Sequence, residues 1–259
     1  MPRRLGQHFL TRSSILESIA TAVCPEPGGT VIEIGPGRGA LTSHLLARAD
    51  RVVAIEIDPV LVQYLQAKFR AAPKLEIVEG DILKADLSKW TPAAVAGNLP
   101  YYITSPILER VLSLRGQWPR AVFLVQKEVA ERLVAKPGSR DYGFLSVQTQ
   151  FYAQVEMFMT VPPGAFRPPP KVDSAVVRLT PREDVPVNTR AFLSFASQCF
   201  RHKRKTLRNN LLGRYEKDLL DSMKETSLRA EQLSIAELAS LQDALDATSA
   251  IPPTECSTS

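Results

Sequence analysis

Gly97-Asn98-Leu99-Pro100-Tyr101-Tyr102 combines residue types that folding alone explains poorly. The side-chain oxygen of Asn98 and the main-chain carbonyl of Leu99, released from strand pairing by Pro100, can act together as two preorganised hydrogen-bond acceptors. Such a pair suits an amine conjugated to a ring, as on adenine. The lone pair of that nitrogen is delocalised, so the amine is a poor nucleophile. Acceptors aimed at its hydrogens favour the pyramidal nitrogen that forms as a methyl group is transferred. Tyr101 offers an aromatic face on which an extruded base can stack, worth roughly 1 to 3 kcal/mol. Phe166, in a loop stiffened by Pro168, Pro169 and Pro170, is expected to hold the other face of the base, or else to anchor the hairpin around it. The amine can lose its proton to water once it is cationic, so the scheme demands no catalytic histidine. His8, His44 and His202 read as surface, cap or packing residues. Asn and Pro also favour plain turns. Their position one strand after Asp81, where parallel sheets bind ligands, favours a site.

The methyl donor needs its own cradle. Thr30-Val-Ile-Glu33-Ile-Gly35-Pro-Gly37-Arg-Gly39-Ala40 places a glycine-rich turn between a strand and a helix, where the absent Cβ atoms let backbone approach a nucleotide-like ligand. The pattern also reads as G-x-G-x-x-A and admits a dinucleotide. Glu56, about twenty residues on, can accept from both ribose hydroxyls of either ligand. Asp81 follows the next strand, where a carboxylate can accept from an adenine amino group, which suits an adenosyl ligand. Asp58, before Pro59, reads as a helix N-cap.

The elements that must hold these groups follow from hydrophobic patterning. Short β-branched runs at residues 31–34, 52–57, 75–78, 94–97 and 121–125 alternate with helical stretches, which predicts βαβ units and a parallel sheet. Runs at residues 154–161 and 174–180 are too close for a crossover helix and should pair antiparallel. The expected fold class is α/β, a Rossmann-like seven-stranded sheet with an antiparallel final hairpin. Beyond it, residues 187–248 show helical periodicity and no strand signal, so a small all-helical domain should follow a catalytic domain of residues 1–182. Residues 249–259 lack an apolar period and read as a disordered tail.

Within the helical region, Phe192, Ala196, Cys199, Phe200, Leu207 and Leu211 fall on one face at helical spacing, and Arg201, Arg204, Lys205 and Arg208 on the opposite one. Lys203 falls among the apolar positions, which implies a local bend or a snorkelling side chain. This run of cations without an acid reads as a phosphate-contacting surface for RNA, which Arg3 and Arg4 could extend. The net charge of +5 permits a polyanionic partner. Cys24, Cys199 and Cys256 are odd in number and lack C-x-x-C spacing, so neither a disulfide framework nor a metal site is expected. No apolar run reaches the roughly 18 to 20 residues that span a bilayer, and no secretory leader is visible, so no membrane partner and a cytoplasmic location are expected.

Gly6-Gln-His-Phe-Leu10, Glu33-Ile-Gly-Pro-Gly37, Asn98-Leu-Pro-Tyr101, Gln126-Lys-Glu128, Phe166 with Pro170-Lys-Val-Asp-Ser-Ala175, and Lys203-Arg-Lys-Thr-Leu-Arg208 together resemble the ribosomal RNA small-subunit adenine dimethyltransferase family. The resemblance implies S-adenosyl-L-methionine as cofactor and dimethylation of two adjacent adenosines near the 3′ end of 16S rRNA, on an immature 30S particle, by a monomeric enzyme. It also implies that His8, Leu10, Gly35, Gly37, Glu56, Asp81 and Asn98 line the cofactor pocket, with Leu10 on a segment that closes over it. Arg201, Lys203, Arg204, Lys205 and Arg208 would contact RNA. A 23S adenine methyltransferase of the macrolide-resistance type shares the Asn-Leu-Pro-Tyr kind of motif, and a non-catalytic assembly factor could share the fold. The stretch from Lys203 to Arg208 favours the small-subunit enzyme, and intact Asn98, Pro100 and Tyr101 favour catalysis.

Overall fold

A computed structural model describes residues 8–100, 103–114, 116–183 and 189–249. The chain divides into two compact units, Met1–Val134 with Tyr152–Glu183, and Ala135–Phe151 with Asp184–Ser259.

The first unit is built on seven strands in the order β4-β3-β2-β5-β6-β9-β7. These are β2 (Thr30–Ile34), β3 (Arg51–Glu56), β4 (Leu75–Glu79), β5 (Ala94–Asn98), β6 (Ala121–Gln126), β7 (Ala153–Val161) and β9 (Ser174–Pro181). The five strands from β4 to β6 in that order run parallel, and β9 lies antiparallel between β6 and β7. All seven expected strands are present and the last two pair antiparallel, as their short connection requires. Val31, Ile32, Val52, Val53, Val95 and Val122 are fully buried, the continuous apolar pattern of parallel strands covered on both faces. Covering helices include α1 (Ser13–Val23), α2 (Ala40–Leu46), α3 (Pro59–Lys68), α4 (Thr104–Leu112) and α5 (Lys127–Val134). On α1, Ile15, Leu16, Ile19, Ala20 and Val23 form the buried stripe. Asp58 caps α3 by accepting from Val60 N, with Pro59 at the first helical position.

A short second sheet lies outside the sequence expectations. β1 (Phe9–Leu10) pairs antiparallel with β8 (Phe166–Arg167), in the register Phe9↔Arg167 and Leu10↔Phe166. Two residues per strand leave no period for a sequence pattern to reveal.

The second unit contains α6 (Phe144–Tyr152, whose last residue belongs to the first unit), α7 (Thr189–Cys199), α8 (Leu207–Leu211), α9 (Lys217–Ser222) and α10 (Ile235–Ser249). Residues 135–151 join these helices rather than the sheet, which corrects the single boundary expected near residue 182. Phe151 stacks on Phe192 at a centroid distance of 4.7 Å, Tyr142 meets Phe200 edge-on, and Gly138 N donates to Glu231 O. A single linear cut could not anticipate a segment that crosses over in this way. The expected tail lies outside the described residues apart from Ser249, which ends α10.

Candidate functional site

The order of strands reverses at β2, whose neighbours β3 and β5 lead to opposite edges of the sheet. Open α/β sheets bind ligands at the carboxyl ends of their strands at such a switch point. A cavity of about 330 Å³ opens here. Seven residues expected to hold the cofactor, His8, Leu10, Gly35, Gly37, Glu56, Asp81 and Asn98, all line it, as do Leu99 and Pro100.

The glycine turn leads from β2 into α2. Gly37 has φ +59°, and a Cβ there would come within 2.9 Å of the Phe9 ring, so both conformation and space demand glycine. Gly37 N donates to Glu56 Oε2 at 3.0 Å, while Glu56 Oε1 accepts from Ile57 N and Asp58 N at 3.0 and 3.1 Å. Glu56 is therefore locked by three main-chain donors, and it keeps part of its acceptor capacity for a ligand. Asp81 accepts from Leu83 N through Oδ1 at 3.0 Å. Two carboxylates beside a glycine cradle fit an adenosyl ligand that presents ribose hydroxyls and an amino group.

Glu33 was not singled out from the sequence, yet it also lines the cavity. It is 2 % exposed, and its Oε2 accepts from Thr42 Oγ1 at 2.6 Å. Burial pushes its carboxyl up to about 7, which the nearby Glu56 reinforces and the Thr42 hydrogen bond and Lys68 limit. The available signal was an acid in the otherwise apolar run Thr30-Val-Ile-Glu33-Ile34. Alternation could not separate it from an exposed strand position.

Asn98 closes β5 at the cavity wall. Its neighbour Gly97 is required by space, since a Cβ would stand 2.7 Å from the Ile34 main-chain oxygen of β2. Asn98 Nδ2 donates to the main-chain oxygen of His8 at 2.9 Å. With its nitrogen occupied in this way, Oδ1 is left as the acceptor; among the described residues no donor meets it. Leu99 N donates to Leu124 O at 3.0 Å, and among the described residues no donor meets the Leu99 carbonyl. The two acceptors invoked for the amine are thus both uncommitted and adjacent in the chain. Tyr101, expected to stack on the base, lies outside the described residues.

Of the two roles expected for Phe166, its position fits the hairpin anchor and not the face for a base. It is 1 % exposed, belongs to the same hydrophobic core as Leu10, Leu16 and Ile19, and does not line the cavity. Its pairing with Leu10 across β1 and β8 draws the ring under the N-terminal strand, so it anchors the loop and presents no face to a base.

The basic run belongs to the second unit. It is not one helix: α7 stops at Cys199, residues 200–206 form a turn, and α8 begins at Leu207. Asn210, 5 % exposed, enforces the break. Its Nδ2 donates to Cys199 O at 2.8 Å and to His202 O at 3.2 Å, and its Oδ1 accepts from His202 N at 3.1 Å. Arg201, Arg204 and Lys205 project from this turn, exposed and without an acidic partner among the described residues. Lys203 instead donates to Arg140 O and lies near Glu231, and Arg208 pairs with Asp221. Two of the five expected RNA contacts are therefore already engaged within the protein. Arg3 and Arg4 lie outside the described residues.

Among the described residues, no helix is long and apolar enough to cross a membrane. Cys24 and Cys199 are buried free thiols.

Comparison with known proteins agrees with this site. The family model for ribosomal RNA adenine dimethylase matches residues 2–247. The ribosomal RNA small subunit methyltransferase A of Acidobacterium capsulatum is 42% identical over 94% of this chain and 90% of its own length. The protein of the same name from Proteus mirabilis is 43% identical over 91% of this chain and 90% of its own length. A crystal structure of a dimethyladenosine transferase from Plasmodium falciparum superposes with a TM-score of 0.81 at 27% identity, over 93% of this chain and 98% of that one. The 23S rRNA methyltransferase ErmE follows at 0.69 and 30% identity, over 92% of this chain and 99% of that one. With the motifs in order along nearly the whole chain and the sheet, switch-point cavity and glycine cradle in place, this chain belongs to the ribosomal RNA adenine dimethylase family of S-adenosylmethionine-dependent methyltransferases.

Proposed function

We propose that this enzyme dimethylates the N6 amines of two adjacent adenosines near the 3′ end of 16S rRNA, acting as a monomer on the immature 30S particle in the cytoplasm. The observation that carries the chemistry is the Asn98 amide, held by its nitrogen so that Oδ1 is left as the acceptor at the cavity wall. Bound in the cavity, S-adenosylmethionine supplies a methyl group activated on a sulfonium sulfur. Glu56 and Asp81 accept from the ribose hydroxyls and adenine amino group of that cofactor, and the Gly35 to Gly37 turn admits it closely.

Asn98 Oδ1 and the Leu99 carbonyl accept from the two hydrogens of the target amine. As fixed dipoles in a shielded site they favour the pyramidal, cationic nitrogen without reorganising. Pro100 supports this by removing the N–H that would otherwise follow Leu99 in strand pairing. Tyr101 is assigned the stacking face. Phe166 is assigned the role of anchor for the loop between β7 and β9. Arg201, Arg204 and Lys205 contact phosphates of the particle.

The small-subunit substrate is supported by the names of relatives at 42% and 43% identity. Radiolabelled cofactor incubated with unmodified 30S or 50S particles, followed by nucleoside analysis, tests the reading. Label in N6,N6-dimethyladenosine from 30S alone is expected. Label from 50S would assign the 23S activity instead, and no label from either would assign an assembly role.

A further inference from the structure

We propose that the N-terminal segment sets the orientation of the Asn98 amide, and that His8 is the positioning residue which ties that orientation to the loop between β7 and β9. The inference rests on the reading of Asn98 given above.

A primary amide turned by 180° exchanges Oδ1 and Nδ2 with almost no change of shape. Only hydrogen bonding decides which atom faces the cavity. The proposed reaction needs the oxygen there, because a donor aimed at the target amine would repel its hydrogens. The selecting contact is the bond from Asn98 Nδ2 to His8 O at 2.9 Å, across 90 residues of chain. With the amide reversed, two oxygens would face each other.

A main-chain carbonyl can select only if its own segment is fixed, and each of residues 8–11, which include β1, is held. The His8 ring nitrogen Nδ1 stands 2.8 Å from Pro168 O, and since a carbonyl only accepts, Nδ1 carries the proton. Phe9 packs on Gly37, with the Arg38 guanidinium 5.1 Å above its ring centroid. Leu10 pairs with Phe166, and both Thr11 N and Thr11 Oγ1 donate to Ala165 O, at 2.9 and 3.1 Å. Four consecutive residues thus touch the glycine turn of the cofactor site, the amide at the reaction centre and the loop between β7 and β9. Loosening this segment should therefore slow methyl transfer even when cofactor is saturating.

The test is single-turnover methyl transfer on unmodified 30S particles, with cofactor affinity measured separately by calorimetry. His8→Ala keeps the carbonyl and removes its anchor. At saturating cofactor, which removes any loss of cofactor affinity from the comparison, the methyl-transfer rate should fall roughly ten- to hundredfold, the penalty of small misplacements at a reaction centre. His8→Asn should recover most of the rate, because an Asn Nδ2 lies as many bonds from Cα as Nδ1 and can donate to Pro168 O. A purely structural role would not distinguish Asn from Ala in rate at equal cofactor affinity. Thr11→Val, which deletes one hydroxyl bond to the same loop, should slow transfer by a smaller factor in the same sense and keeps the test open if His8→Ala does not fold. An unimpaired rate in His8→Ala or Thr11→Val, or equal rates for the Asn and Ala variants, overturns the proposal. Asn98→Ala run alongside separates the two ideas: if it is fully active the reading of Asn98 fails, whereas an inactive Asn98→Ala beside a fully active His8→Ala overturns only the role of the strand.

Discussion

At the scale of single residues, the site turns on which polar atoms are spoken for and which are not. Glu56 Oε1 accepts from the Ile57 and Asp58 N–H groups and Oε2 from Gly37, and the Asn98 nitrogen is committed to the His8 carbonyl. Replacing Asn98 by Ala removes the acceptor but none of the cofactor's carboxylates. Methyl transfer should drop by roughly 10² to 10³, the cost of losing one preorganised dipole, with calorimetric cofactor affinity nearly unchanged; normal turnover would sink the assignment. Glu33 gives a pH signature. Its carboxyl is raised to about 7 in the folded protein, so folding favours the neutral form. The stability this contributes is fully present below the unfolded value of 4.5 and is lost as pH rises through about 7. Glu33→Gln keeps an acceptor for Thr42 and has no charge to bury. Its stability relative to the parent should therefore increase from pH 5 to pH 8 in urea unfolding. An equal difference at both pH values would show that Glu33 does not titrate with folding.

At the scale of elements, the turn between α7 and α8 separates exposed cations without an acidic partner among the described residues from cations engaged within the protein. A continuous helix would have spread the run around its circumference. The Asn210 side chain instead ends α7 and gathers Arg201, Arg204 and Lys205 on one exposed turn. Charge reversal at Arg204 and Lys205 should weaken binding to 30S particles and reduce the slope of log K against log salt, by roughly 0.7 to 0.9 per lost phosphate contact. Lys203→Met should leave that slope unchanged, since Lys203 serves Arg140 O and Glu231. Binding measured at several salt concentrations checks both. An unchanged slope in the double reversal would remove the turn from the RNA interface.

At the scale of the whole molecule, the cofactor cavity gathers residues from β1, β2, β3 and β5 that lie far apart in sequence, so ligand binding should stiffen a set of distant segments together. Cofactor at a hundred times its dissociation constant should raise the unfolding free energy by about 2.7 kcal/mol. Hydrogen exchange should slow together at residues 8–11, 35–39, 56–58 and 97–99. Protection confined to the glycine turn would show that the N-terminal strand does not respond to the ligand.

Much of this architecture was legible in the chain because its determinants are local. Strand and helix follow from apolar period, the glycine turn from conformational need at Gly37, the cap at Asp58 from the Asp-Pro pair, and the Asn98 site from residue chemistry at a strand end. That Glu56 and Asp81 would reach one cavity was legible too, because a parallel sheet delivers each strand end to the same edge. Tertiary structure alone decided three things. It paired Leu10 with Phe166 and so decided between the two expected roles of that ring in favour of the hairpin anchor; it broke the basic helix through Asn210; and it set the His8 carbonyl against the Asn98 amide. The first and third depend on partners 156 and 90 residues apart, and the second on specific side-chain-to-backbone hydrogen bonds 8 and 11 residues apart; periodicity, which records only apolar spacing, carries no trace of such meetings.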